Sequence, residues 1–233
     1  FNTVLYTGNG YSTSNTQSIT GVGFQPDWLW VKCRDAAQNN NLSDVIRGAS
    51  FRLKSNANSG ESELTDSIAS HDSDGFSLDV NLNNNKFVAW NWKAGTSFSN
   101  DASSTGIGDI DSSGSVSQIS GFSICSYAGS GSSGDTIKHG LSTAPKIIII
   151  KKRSGADNWT MLNTNISLNT HLHLNTTDAA VSDPMFTNTA PTTSVFTVDS
   201  DGQVNESGHT FIAYCFSEVK GYSKFGSYVG NNS

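Results

Sequence analysis

Apolar and polar residues alternate along this chain in short runs. Phe87-Val88-Ala89-Trp90-Asn91-Trp92 is the clearest of them, and Phe211-Ile212-Ala213-Tyr214-Cys215-Phe216 states nearly the same pattern again. A period of two puts alternate side chains on opposite faces of a strand. Strands are therefore predicted over residues 3–7, 28–33, 51–54, 76–80 and 86–92, and again over 122–127, 146–152, 159–163, 171–175, 195–198 and 210–217. Turn chemistry separates them at Gly8-Asn9-Gly10, Ser59-Gly60, Asp74-Gly75 and Asn83-Asn84-Asn85. The four consecutive isoleucines Ile147–Ile150 fit a strand buried on both faces. Lys146, Lys151, Lys152 and Arg153 around them are expected to act as charged gatekeepers against self-association.

The landmarks recur at a nearly constant offset. Tyr6-Thr7-Gly8-Asn9 returns as Tyr127-Ala128-Gly129-Ser130, 121 positions on; Pro26 returns as Pro145 after 119, and Phe76 as Phe196 after 120. The chain is thus predicted to be all-β, with two tandem antiparallel β-sandwich repeats of jelly-roll or lectin-like type. The first repeat spans 1–95 and the second 121–221, joined by a Ser/Gly/Asp-rich linker over 96–120 that has room for a short strand at 115–119. Residues 222–233 start a third copy or supply a closing strand.

Composition narrows the picture. Of 233 residues 35% are hydrophobic and only 15% charged, with Gly abundant and Pro scarce, so long amphipathic helices are not expected. Five Trp, twelve Phe and six Tyr argue against disorder. A net charge of −6 without a Lys/Arg cluster speaks against nucleic acid as a partner, and no run is long enough for membrane insertion. Cys33, Cys125 and Cys215 are odd in number, and each is replaced in the other repeat, so they read as incidental small residues rather than a disulfide framework.

Candidate chemistry is sparse. Trp28, Trp30, Trp90 and Trp92 suggest sugar stacking, yet their repeat partners are Ile147, Ile149, Tyr214 and Phe216, which keeps only bulk and points to core packing. Trp159 and the loop aromatic Phe186 remain as candidate ligand-binding residues. A glycosidase needs a carboxylate pair; Glu61, Glu63 and Asp66 share one polar loop, while Glu206 and Glu218 are scattered. Asp72-Ser73-Asp74-Gly75, Asp109-Ile110-Asp111 and Asp199-Ser200-Asp201-Gly202 look like pieces of calcium loops without the distal Glu, and read as turns. His171-Leu172-His173 would put two imidazoles on one strand face, able to meet a metal where copies converge on an axis. No cofactor and no enzyme activity are expected.

At its landmark runs the sequence resembles a family of repeat-bearing virion proteins of bacteriophages, many of them marine. The resemblance rests on residues 6–10, 23–34, 74–77 and 89–95, with Trp90-Asn91-Trp92-Lys93-Ala94-Gly95 the most specific piece. A sibling form matches His139-Gly140-Leu141, Pro145, Lys151, Arg153 and residues 211–221. It implies a non-catalytic structural protein on the surface of an extracellular particle: a tail fibre, other appendage or capsid decoration. It also implies self-association into a homo-oligomer, a trimer among the options, and contact with other virion proteins. The His-x-His spacing is similar to iron sites in some phage fibre tips. The loops 38–43, 56–73 and 182–193 are then the expected contacts to a host surface. The alternative readings are a carbohydrate-binding module for host-surface glycans and, less supported by the residues, a polysaccharide depolymerase.

Overall fold

The computed structural model describes residues 1–10, 16–63, 68–79 and 84–231. The first half lays down β1 (Asn2–Thr7), β2 (Gln17–Ile19), β3 (Trp28–Cys33), β4 (Asn41–Asp44), β5 (Gly48–Lys54), β6 (Ser62–Glu63), β7 (Ile68–Asp72), β8 (Gly75–Leu78) and β9 (Lys86–Trp92). The second contributes β10 (Thr96–Asn100), α1 (Ala102–Thr105), β11 (Ser112–Ser117), β12 (Phe122–Ala128), β13 (Thr136–Lys138), β14 (Ile147–Lys152), β15 (Thr160–Asn163), β16 (Leu172–His173), β17 (Val195–Thr197), α2 (Gly202–Asn205) and β18 (Thr210–Phe216). The chain is an all-β sandwich, as the alternation implies.

The two halves repeat each other in space. One large sheet runs β1-β9-β3-β4-β5-β6; the other runs β10-β11-β12-β18-β14-β15-β16. Five strands correspond in order, β1-β9-β3-β4-β5 with β12-β18-β14-β15-β16. Each large sheet is backed by a small one, β2-β8-β7 in the first half and β13-β17 in the second. The layers therefore stack as small sheet, large sheet, large sheet, small sheet, with the two repeats face to face.

That stacking explains why the repeat strands carry bulk on both faces. In β3, Leu29, Val31 and Cys33 face the small sheet with Phe76 and Leu78, while Trp28 and Trp30 face the other repeat. In β14, Ile148 and Ile150 face the outer layer, and Ile147 and Ile149 face the first repeat. β18 divides likewise, with Phe211, Ala213 and Cys215 outward and Ile212 and Tyr214 inward. Fully burying one such side chain stabilises the fold by about 1.5–3 kcal/mol.

Several expectations need correction. The stretch 96–120 is not a free linker: it forms β10, α1 and β11, which extend the second large sheet beyond β12. Its small residues are demanded by close approach, since a Cβ on Gly114 would lie 1.9 Å from the Ile124 carbonyl oxygen. Lys151 and Lys152 are buried rather than exposed gatekeepers. The Lys151 ammonium donates to the carbonyls of Lys152 (2.8 Å) and Asn58 (3.2 Å), and burial pulls its pKa down to about 8. The expected strand 171–175 shrinks to the two residues of β16. Residues 222–231 form no strand; Val219 bridges Ser223, and Tyr228 and Val229 are 93% and 95% exposed. Val80 and Asn83, placed by the sequence in a strand and a turn, lie outside the described residues. All three cysteines are free and buried.

Candidate functional site

Two features join the repeats. The first is an aromatic groove of about 450 Å³ where the two large sheets part. Trp28 forms its floor, stacked on Tyr214 at 4.4 Å and 20° and against Trp92 at 4.4 Å. Phe1 and Phe225 close its ends, against Trp92 and Phe216 respectively. The turn that leads the chain from one sheet to the other is pinned beside it. Asp27 accepts the Ala94 amide at 2.8 Å, which explains why Pro26-Asp27 and Lys93-Ala94-Gly95 occur together. Burial raises the Asp27 carboxyl, and the amides of Ala94 and Gly95 pull back against it.

Among the described residues no carboxylate, imidazole or thiol lines the groove. Its polar lining side chains are Ser120, Ser223 and Tyr222 together with the indoles. The indole nitrogens of Trp28 and Trp30 are buried without a hydrogen-bond partner among the described residues, a situation that costs about 1–3 kcal/mol per donor. Chemically the groove offers stacking surface and little else.

The second feature is a buried polar seam. Tyr214 donates to Asp44 Oδ2 at 2.6 Å across the repeats, and Arg47 Nε donates to the same oxygen at 2.6 Å. Arg47 also reaches Glu61 (3.2 Å), and Glu61 pairs with Arg153 of the second repeat at 3.0 Å. Burial alone would raise the Asp44 carboxyl; the charge of Arg47 and the hydrogen bonds from Tyr214 and Arg47 outweigh it and hold the pKa below the usual range. Burial together with the Asp44 charge pushes the Tyr214 phenol well above its ordinary value. The backbones meet here as well, with the Glu61 amide donating to the Arg153 carbonyl at 2.7 Å and the Asp157 amide to the Asn58 carbonyl at 2.7 Å. Gly60 permits that approach, because a Cβ there would sit 2.8 Å from the Arg153 carbonyl oxygen. The side chains of Asp44 and Arg47 are fully buried, so this cluster is a clamp rather than a reaction centre.

The sequence-predicted site residues are scattered. Trp159 is fully buried between the sheets, and its indole N–H donates to the Lys54 carbonyl at 2.9 Å. Phe186 is buried in the outer core of the second repeat. Neither offers a face to a sugar, so both are corrected to packing residues. Trp30, Trp90 and Trp92 are only half-buried, whereas Trp28 is the buried tryptophan of the set. The loop 56–73 is not a free recognition loop: Asn58–Glu61 belong to the seam and part of it forms β6 and β7; Asp66 lies outside the described residues.

His171 and His173 do meet, with ring centroids 4.9 Å apart. His171 Nδ1 faces the Asp183 carbonyl at 3.0 Å and His173 Nε2 faces Gln203 Oε1 at 3.0 Å, while His171 Nε2 and His173 Nδ1 have no hydrogen-bond partner among the described residues. Asp178 is 4.0 Å from His173. Among the described residues no group of three or more His, Cys, Asp or Glu is arranged to hold a metal ion. The Asp-rich turns serve as backbone and hydroxyl acceptors: Asp74 takes the Gly23 amide at 2.6 Å, and Asp201 caps α2 through the Gln203 amide at 2.8 Å.

Sequence reasoning missed the seam because Asp44 and Arg47 lie in an ordinary-looking turn. It also missed a Ser43–His71 contact (3.3 Å); there the serine hydroxyl already donates to the Ala49 carbonyl at 3.0 Å, and burial holds the imidazole at about 4.

A family model described as a domain of unknown function, DUF7483, matches residues 1–233. The chain belongs to the DUF7483 family. No curated protein and no solved structure matches it. In this DUF7483 chain the match spans both repeats and the β10–β11 stretch between them.

Proposed function

We propose that this DUF7483 chain is a non-catalytic structural protein of a bacteriophage virion, a building block of a tail fibre, other surface appendage or capsid decoration. The observation that carries the reading is the double-repeat sandwich itself. Two repeats locked face to face by an aromatic core and a buried ion-pair seam make a stiff block, which suits a spacer better than an enzyme. Its resemblance to repeat-bearing virion proteins supports the same reading. The block self-associates and meets other virion proteins, with any host contact made by outward loops such as 182–193, and such contacts gain strength through multivalency.

The direct test is immunogold imaging of purified particles of the phage that encodes the chain. Label on an appendage or the capsid surface is expected. Purified particles free of the protein would overturn the reading.

The groove favours one second reading, a module that holds host-surface glycans on the partly exposed rings of Trp30 and Trp92. Few hydroxyl-binding groups accompany those rings, so binding would rest on stacking. A glycan array showing nothing above background with the multimer would end it.

A further inference from the structure

The two imidazoles at β16 are buried side by side. His171 directly precedes that strand and His173 ends it, so both rings project from one face, with centroids 4.9 Å apart. The loop 174–184 returns beside them, because His171 and Val181 exchange both backbone hydrogen bonds, at 3.0 and 2.9 Å. His171 is 1% exposed and the His173 side chain 9%.

Each ring has one nitrogen fixed and one free. The Asp183 carbonyl, 3.0 Å from His171 Nδ1, and Gln203 Oε1, 3.0 Å from His173 Nε2, are oxygens that only accept. Each neutral ring therefore keeps its proton on that side and carries a lone pair on the other nitrogen. Those free nitrogens, His171 Nε2 and His173 Nδ1, are shielded from water and have no hydrogen-bond partner among the described residues. A ring tied through its N–H to a carbonyl or carboxamide oxygen is oriented as metal-ligating histidines are. Two imidazoles bound to one ion at about 2.0–2.1 Å hold their centroids about 5 Å apart, in keeping with the spacing seen here. Asp178 Oδ2 stands 4.0 Å from His173 Nδ1 on a side chain that is 64% exposed. Neighbouring ligands of a tetrahedral ion lie about 3.3 Å apart, so this carboxylate has less than about 1 Å to travel. Because it stands off the pair, no complete three-residue site is formed among the described residues.

We propose that His171 Nε2 and His173 Nδ1 bind one divalent transition-metal ion of the class that imidazole favours, zinc among them, with Asp178 closing on the ion as the third ligand. The fourth position is open to water. The bound ion fastens the loop 174–184 to β16, and through Gln203 to α2. All three ligands come from one chain, where the sequence alone suggested copies converging on an axis. This inference does not depend on the virion reading, since it follows from the contacts of the two rings.

The test titrates the untagged full chain, stripped of metal by a chelator, with zinc chloride in a calorimeter. One ion per chain is expected. Asp178→Asn should weaken binding about tenfold, and Gln203→Ala, which releases the His173 ring, about 10–100-fold. His173→Gln removes a ligand and should weaken it by at least as much. With Cu2+ as a spectroscopic probe, electron paramagnetic resonance should show two nitrogen ligands in the parent and one in His173→Gln. Asp178 is largely exposed, so its variant still reports if replacing a buried histidine unfolds the chain. No heat of binding at millimolar zinc would overturn the proposal. So would binding that all three variants leave unchanged, which places the ion elsewhere, or one ion for every two chains, which assigns it to an interface between copies.

Discussion

Tyr214→Phe probes the joint between the repeats with the least disturbance. The substitution keeps the ring on Trp28 and removes only the hydroxyl that donates to Asp44 at 2.6 Å. A hydrogen bond to a buried charged group contributes about 1.5–3 kcal/mol net. Asp44 retains Arg47 Nε and the amides of Ile46 (3.0 Å) and Arg47 (2.9 Å), so the expected loss is near the middle, about 2 kcal/mol. For a chain of this size that is a fall in Tm of about 4–8 °C. Asp44→Asn should cost more, about 3–5 kcal/mol, because it removes the fully buried counter-charge at Arg47 Nε and leaves Glu61, at 3.2 Å, as the carboxylate beside the guanidinium. In a double-mutant cycle the two changes should couple by about 1–2 kcal/mol. Urea unfolding followed by tryptophan fluorescence reads all four proteins, with equal m values required for the comparison. A Tyr214→Phe protein within about 0.5 kcal/mol of the parent, or strict additivity with Asp44→Asn, would refute the clamp.

Further outcomes follow from single residues. Trp28→Ala should destabilise by about 3–5 kcal/mol and half-buried Trp90→Ala by clearly less, measured by urea unfolding; equal costs would contradict the layer assignment. Gly60→Ala should cost about 1–3 kcal/mol, because its Cβ meets the Arg153 carbonyl at the seam, and an unchanged Tm would argue that the repeats do not touch there. His139 is fully buried, its Nδ1 accepting the Leu141 amide at 3.1 Å while Nε2 faces the Thr192 carbonyl at 3.2 Å, and burial lowers it from 6.5 to about 4. The unfolded chain therefore takes up the proton first, and up to about 3 kcal/mol of stability present above pH 6.5 is lost as pH falls toward 4. His139→Gln should reduce the slope of stability against pH over that window, with His71, also lowered to about 4, supplying the remaining imidazole contribution, and an unchanged slope would place the loss elsewhere.

The strands were legible where alternation is strong. Residues 28–33 and 86–92 match β3 and β9, and the isoleucine run is buried on both faces as expected. The repeat was legible through spacing, but not its consequence, that equivalent faces turn toward each other; alternation marks two faces without saying what covers each. β10 was hidden, and β11 was legible only as a short strand at 115–119, because Ser and Gly signal a linker by composition, whereas here they are small enough to lie against β12. Lys151 misled in the opposite direction, since a lysine beside apolar residues reads as exposed unless the carbonyls that receive it are known. Trp159 and Phe186 stand apart from the repeated aromatics and invited a ligand reading, but long-range packing buries both. Asp44, Arg47 and Glu61 carry no local sign of their partners, because Tyr214 and Arg153 are more than ninety residues away.

Calorimetric unfolding of the intact chain tests most directly whether the two repeats form one block. The account predicts a single transition whose calorimetric and van't Hoff enthalpies agree, lowered as a whole by Tyr214→Phe. Two resolved transitions, only one of them shifted by that substitution, would contradict it.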